Sequence, residues 1–486
     1  MITTAKSRST VAGVLVAGAA ASSVLAAAAL GSAPSANASC ASFFGLGNSA
    51  DCSSTPLSIA IALGSGATAH ATGLLGGAFA VGTNSAATTG DAFTLATALG
   101  DGSVATANGL FGIATQLGPN GSAITEGSGL LANPGFNIAL NVSALGAPTN
   151  SSTVTAGGTG AAGNIALNLF GRGTANDPGS MVVTSHGLLN IASNWGGHDN
   201  VIEAGDAATS SLLNLTTNLF GSNTNVTAEG GIFNWATNLL GDNNTVATNG
   251  SLVNTASNLL GSNNTVTTNG GYANWARNIL GNGNTVTITG GYSNAVRNLF
   301  GGGNTVTITG GAYGSTAQNW FGTNNAVTVV SGIYSSASNF LGGNGNTLSS
   351  TTGYQNSVVN LIGSNNTLNA GGAGSNWNLT FNSLGSNNQV SSGGAGGNFT
   401  AGFNVLGGTN TVSAGPGPLA LAGTIFNDGA TVTKTGPGIA INNFRIGGAQ
   451  ATAGTSSKAP AKSGAAGKSG ESGKKTGTAG SKRGNR

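Results

Sequence analysis

The sequence predicts an all-β protein: a parallel β-solenoid (β-helix or β-roll) of about 18 coils, 18–25 residues each, followed by a disordered C-terminal tail. Three observations predict it. Residues 231–310 read as four consecutive blocks of 20, from GIFNWATNLLGDNNTVATNG to GYSNAVRNLFGGGNTVTITG. Within each block the uniform positions fall on every second residue. Between the uniform runs stand Gly and Asn, which tolerate a positive φ. A fixed period in this range marks a solenoid, in which each repeat is one coil stacked on the next.

Position 4 of the block is Asn234, Asn254, Asn274 and Asn294, and position 8 is Asn238, Asn258, Asn278 and Asn298. Position 6 is small (Ala236, Ala256, Ala276, Val296) and position 10 large (Leu240, Leu260, Leu280, Phe300). Trp235, Thr255, Trp275 and Ala295 share a variable column. Alternate constancy is the period of a strand, so positions 4, 6, 8 and 10 are expected to point inward and the variable column outward. Gly241, Gly261, Gly281 and Gly301 then turn the chain. A second strand follows at Asn264–Thr267, Asn284–Thr287 and Asn304–Thr307, with Val246, Val266, Val286 and Val306 inward.

Stacked coils lie about 4.8 Å apart. At that spacing an inward Asn amide donates to the Asn below and accepts from the Asn above. Such a ladder spares buried amides a cost of roughly 1–3 kcal/mol each. Exposed corners are the other place for these residues, as turn formers. The ladder is predicted for positions 4 and 8; position 14 has a weaker claim to it.

The chain has 486 residues, of which 85 are Gly and only 6% are charged. Disorder usually carries high net charge and low hydrophobicity. Here 39% is hydrophobic and the pattern is periodic, which favours one elongated ordered body. The net charge of +3 hides a division. Residues 39–450 carry five basic and eleven acidic groups, whereas the tail from Ala451 carries eight basic groups and one Glu.

In chain order, residues 1–38 read as a secretory signal. Lys6 and Arg8 form its basic start, Val11–Leu30 its apolar stretch, and Ala36-Asn37-Ala38 its cleavage site. A retained membrane anchor is the other reading of that stretch. Residues 39–56 are expected to form an N-terminal cap, in which export favours a Cys40–Cys52 disulfide around Phe43-Phe44; free thiols are the alternative. Residues 57–415 are the solenoid. Its turn glycines are spaced by 18 at first (Gly64, Gly82, Gly100, Gly118), then by 25 (Gly146, Gly171, Gly196, Gly221). Later spacings are 20–22, at Gly322, Gly342, Gly363, Gly385 and Gly407. Residues 416–450 lose the pattern and are expected to cap the open end. Residues 451–486 are Gly-, Ser- and Lys-rich and are expected to be disordered.

The stretch Ser58-Ile59-Ala60-Ile61-Ala62-Leu63-Gly64-Ser65-Gly66-Ala67, and residues 57–125 around it, resembles head repeats of trimeric autotransporter adhesins. The chain as a whole resembles secreted Gly/Ala/Asn-rich repeat proteins of mycobacteria and related actinobacteria. Both resemblances imply a secreted or surface location. Neither supplies an activity.

No catalytic residues, metal ligands or cofactor emerge from the sequence. His70, His186 and His198 are scattered; a site from His186, His198 and Asp199 is weighed against plain surface corners. A calcium-binding β-roll needs Asp after its Gly-rich turn, but Gly301-Gly302-Gly303 leads to Asn304. Two surface features remain. Thr265, Thr285 and Thr305 stack outward beside Thr267, Thr287 and Thr307, a Thr-x-Thr array of the ice-binding kind or simply good exposed strand residues. Trp235, Trp275 and Trp320, with Tyr272, Tyr292 and Tyr313, form a candidate outward aromatic strip for sugars or a protein partner. The expected function is that of an exported, non-catalytic structural or adhesive surface protein. Its expected partners are cell-wall glycans or host extracellular proteins, with no specific nucleic acid and no transmembrane segment once the signal is removed. A glycan-processing enzyme and an ice-binding protein are the alternatives.

Overall fold

The computed structural model describes residues 39–127, 135–143, 152–158, 160–173, 181–206, 211–447 and 453–455. The expected signal at 1–38, the turn at Gly146 and the tail beyond Thr455 lie outside the described residues. All regular structure among the described residues is β-strand, wound as a parallel β-solenoid of about 18 turns.

Each coil contributes one strand to each of two sheets. In the coil of residues 271–290, Trp275–Leu280 belongs to sheet A and Thr285–Thr289 to sheet B. Like residues stack on like: Asn258 pairs with Asn278 and Asn278 with Asn298 in sheet A. In sheet B, Val266 pairs with Val286 and Val286 with Val306. Register holds although the step between stacked residues varies, from 17 (Cys52 to Ala69) to 31 (Ser122 to Thr153).

The core is narrow and filled by small against medium side chains. Ala236, Ala256 and Ala276 line sheet A, while Val246, Val266 and Val286 line sheet B, all fully buried. Burial of each Val contributes about 1.5–3 kcal/mol.

Both corners share one device. A residue in the left-handed region precedes the Asn of position 4 (Phe233 φ 58°, Val253 φ 54°, Ala273 φ 53°) and that of position 14 (Asn243 φ 56°, Asn263 φ 58°). This turn swings the following Asn inward. For Phe and Val the conformation costs about 1–2 kcal/mol. The glycine column at position 11 is set by close approach: a Cβ on Gly281 would lie 1.9 Å from the carbonyl oxygen of Gly301.

The Asn columns differ from one another. Position 8 forms an amide-to-amide ladder: Asn258 Nδ2 donates to Asn238 Oδ1 at 2.8 Å, Asn278 to Asn258 at 2.7 Å and Asn298 to Asn278 at 2.8 Å. The column starts at Asn141 and continues to Asn404. Position 4 departs from expectation. Asn274 and Asn294 accept from above and donate sideways: the backbone N–H of Asn294 meets Asn274 Oδ1 at 3.1 Å, and Asn274 Nδ2 turns to the Gly270 carbonyl at 3.2 Å. A direct amide-to-amide bond occurs there between Asn254 and Asn234, at 3.2 Å. The left-handed residue before each Asn turns the chain so that the N–H of the Asn itself points at the preceding coil, and this backbone donor takes the Oδ1 acceptor.

Position 14 is a third buried column and also a tie across the coil. Asn284 N–H meets Asn264 Oδ1 at 2.9 Å, and Asn284 Nδ2 reaches Asn278 Oδ1 of its own coil at 3.2 Å. Position 10 corrects the sequence reading. Leu240, Leu280 and Phe300 are exposed and Leu260 is half-buried. The corner interior is occupied by the bonded amides of positions 8 and 14, so the chain turns before its alternation can bring position 10 inside.

Antiparallel strands close the ends. Ser39–Phe43 pairs antiparallel with Ile59–Leu63, and Phe444–Ile446 with Gly438–Ile441. Cys40 and Cys52 are joined by a disulfide, with Cα atoms 5.5 Å apart. The coils run past residue 415: Ala420–Ile425, Ala430–Lys434 and Gly438–Ile441 still stack in parallel. Pro416, Pro418 and Pro437 fall outside these strands, where a missing N–H costs no ladder bond. The expected disorder from residue 451 is also interrupted, because Ala453–Thr455 pairs antiparallel with Ala430–Lys434 and covers the last edge of sheet B.

Candidate functional site

The two outer faces are unlike. On sheet B the outward residues are mostly Thr, Ser and Asn, as in Thr265, Thr267, Thr285, Thr287, Thr305 and Thr307. On sheet A, position 9 reads Leu219, Leu239, Leu259, Ile279 and Leu299, all half-buried, with Trp195 and Trp320 exposed at either end of that run. Arg277 and Arg297 are the charged residues of the sheet A strands before the C-terminal cap. Sheet A is also rimmed by apolar corners. Position 10 supplies one rim. The other carries a stack that climbs through seven coils, from Tyr272 over Tyr292 (5.1 Å), Tyr313 (5.7 Å), Tyr334 (5.4 Å), Tyr354 (5.9 Å) and Trp377 (5.3 Å) to Phe399 (6.0 Å). Tyr334 has its hydroxyl pKa raised by a hydrogen bond with Tyr313.

The three Trp do not form one strip. Trp235 and Trp275 share a column with Thr255 between them. Trp320 bonds through its backbone to the coil of Asn339 and packs 5.6 Å from Phe340, near the opposite rim. Trp235 is half exposed, whereas Trp275 lies beneath the Arg297 guanidinium, 4.4 Å from its ring centre. Such a contact contributes about 0.5–1 kcal/mol at an exposed site. Tyr272, Tyr292 and Tyr313 belong to the separate rim stack.

The Thr columns of sheet B are in register: Thr265 pairs with Thr285 and Thr285 with Thr305. Their neighbours are tied within the face, Thr267 Oγ1 donating to Thr287 Oγ1 at 3.2 Å. The column is interrupted at Ala326 and resumes at Thr347 and Thr367.

The histidines are separate. His70 meets Ser53 Oγ at 2.8 Å, His186 meets the Gly157 carbonyl, and His198 pairs with Asp199 at 2.8 Å. The five-residue strand Ile191–Trp195 runs between His186 and His198, setting them at opposite corners, about 17 Å apart along an extended chain. Among the described residues no group of three His, Cys, Asp or Glu is arranged to hold a metal. On sheet B Glu229 has its pKa raised by burial first and then by the charges of Glu203 and Asp206. An open hollow of about 310 Å³ lies several coils away, lined by Thr55, Pro56, Leu57, Thr72, Gly73 and Leu74. Among the described residues no helix is long and apolar enough to cross a membrane.

Sequence reasoning missed the apolar face of sheet A and the upper half of the aromatic rim. The signal was present: position 9 is Leu, Leu, Ile, Leu in the four blocks, at the parity expected to face outward. No protein-family model, curated protein or solved structure matches this chain.

Proposed function

We propose that the protein is an exported, non-catalytic structural or adhesive rod of the cell surface. It engages extended partners, cell-wall glycans or extracellular proteins, by repetition instead of by a pocket. The observation that carries this is the in-register outer face of sheet B, where Thr265, Thr285 and Thr305 repeat at coil spacing. A polymer touching several coils gains affinity from multivalency that no single coil supplies. The Cys40–Cys52 disulfide suits an oxidising compartment. Retention on insoluble cell-wall glycans and on immobilised extracellular proteins tests the reading. Binding should fall when Thr265, Thr285 and Thr305 are changed to Lys together; a wild-type protein retained by none of these matrices overturns it.

Two alternatives each rest on one observation. The raised pKa of Glu229 beside Glu203 and Asp206 is what a glycan-processing acid needs, and glycan hydrolysis lost in Glu229→Gln would support it. The Thr-x-Thr register favours ice binding, for which thermal hysteresis is the assay.

A further inference from the structure

We propose that two copies of the chain associate through the outer faces of their sheets A, antiparallel and face to face. This goes beyond the adhesive reading and does not depend on it.

The argument begins with composition. Sheet A carries Leu239, Leu259, Ile279 and Leu299 in one outward column, and an exposed Trp235 in another. Sheet B, made by the same coils, carries Thr and Asn. In the coils of residues 231–310 the apolar column at position 9 thus lies on one face and has no counterpart on the other.

Size follows. About 18 coils at 4.8 Å give a strip about 85 Å long, and a five-residue strand makes it about 17 Å wide, hence about 1,400 Å² before the rims are counted. Monomers rarely expose apolar patches beyond a few hundred Å², and a stable interface needs about 800 Å² from each partner. The whole face, in which the apolar columns stand beside Thr237, Ser257, Arg277 and Arg297, is therefore large enough for a dimer interface.

Shape selects the partner. The columns of sheet A repeat at one spacing along a regular stack. A second copy offers the same spacing, so its side chains interdigitate over the full length, as in the packing of two aligned sheets about 10 Å apart. A globular partner meets only a fraction of the strip.

Charge selects the direction. Arg277 and Arg297 stack on each other and, among the described residues, form no ion pair. A parallel face-to-face pair would oppose these cations to their own copies. An antiparallel pair centred on the coil of residues 251–270 sets Arg277 against the coil of Trp235 and Thr237. The half-exposed Trp235 ring is a suitable partner for a guanidinium.

Sedimentation of the full chain tests this. The expected species has twice the mass of the chain at micromolar concentration. Leu239→Lys, Leu259→Lys and Ile279→Lys together should weaken association by roughly a hundredfold or more, as expected for charges forced into an apolar contact. The matching set Thr245→Lys, Thr265→Lys and Thr285→Lys should leave association unchanged. Circular dichroism establishes that each variant keeps its strands. Ser257→Cys is a second, fold-sparing measurement: it should give a covalent dimer on mild oxidation, whereas Thr267→Cys should not. A monomeric wild type, equal association in both Lys sets, or a monomer that floats with phosphatidylcholine vesicles overturns the proposal; the last result would assign the face to lipid.

Discussion

The Oδ1 of Asn274 is held by the backbone N–H of Asn294, 3.1 Å away, and not by its side-chain amide. Four residues on, Asn298 reaches Asn278 through its side chain, at 2.8 Å. Two columns of the same residue thus do different work. Position 4 anchors the backbone of the next coil, whereas position 8 joins side chain to side chain between coils and also reaches the glycine carbonyl of its own corner.

That difference is measurable by amide hydrogen exchange. Asn274→Ala should speed exchange at the Asn294 amide by roughly tenfold or more, because its acceptor is gone. Asn278→Ala should leave the Asn294 amide protected. It should instead lower stability to urea by about 2–4 kcal/mol, since Asn298 and Asn284 both lose an acceptor.

Thr248 and Thr268 are fully buried in sheet B, and neither hydroxyl has a hydrogen-bond partner. The next two coils place Ile288 and Ile308 in the same column. Thr268→Val keeps the shape and removes the orphan. It should stabilise the protein by about 1–3 kcal/mol, read as a higher melting temperature.

Glu229 has a pKa raised above 4.5, first by burial and then by Glu203 and Asp206. The folded state therefore holds this proton more tightly than the unfolded state does. Stability falls as pH rises from about 4.5 through the raised value, and the penalty is complete above it. Glu229→Gln should melt higher than wild type at neutral pH, and the gap should close below about pH 4.5. A gap that widens on acidification contradicts the assignment.

The Cys40–Cys52 disulfide closes a short loop at one end of a one-dimensional stack. A loop of this size contributes about 3 kcal/mol. Replacing both residues by Ser should deprotect Ser39–Phe43 and Ile59–Leu63 in hydrogen exchange. Coils beyond Gly231 should be unaffected, because each repeat contacts only its neighbours.

Much of the fold was legible in the sequence because stacking demands identity column by column. Asn238, Asn258, Asn278 and Asn298 announce themselves by repetition. Leu240 and Phe300 misled, because parity along a strand says nothing about where the chain turns. Asn264 and Asn284 look like turn residues, being preceded by a left-handed residue, yet the same turn drives them inside. The Cα register required Asn274 and Asn294 to stack but could not say which atom donates. The apolar face was overlooked for another reason: Leu239, Leu259, Ile279 and Leu299 repeat plainly, but an outward apolar column has no role in stacking coils and so draws no attention beside the inward ones.

The side-chain ladder has one more property. From Asn168 to Asn404 each Nδ2 points toward the preceding coil and each Oδ1 toward the following one. Amides aligned this way add their dipoles, whereas strand backbones largely cancel theirs. The rod is thereby an electret, partially positive toward its N-terminal end and negative toward its C-terminal end. Fixed charges follow the same gradient in opposition. Asp51, Asp91, Asp101 and Glu126 lie in the early coils, and Lys434 and Arg445 outnumber Asp428 at the last ones. The two tips of the molecule are therefore electrically distinct, whatever each is joined to.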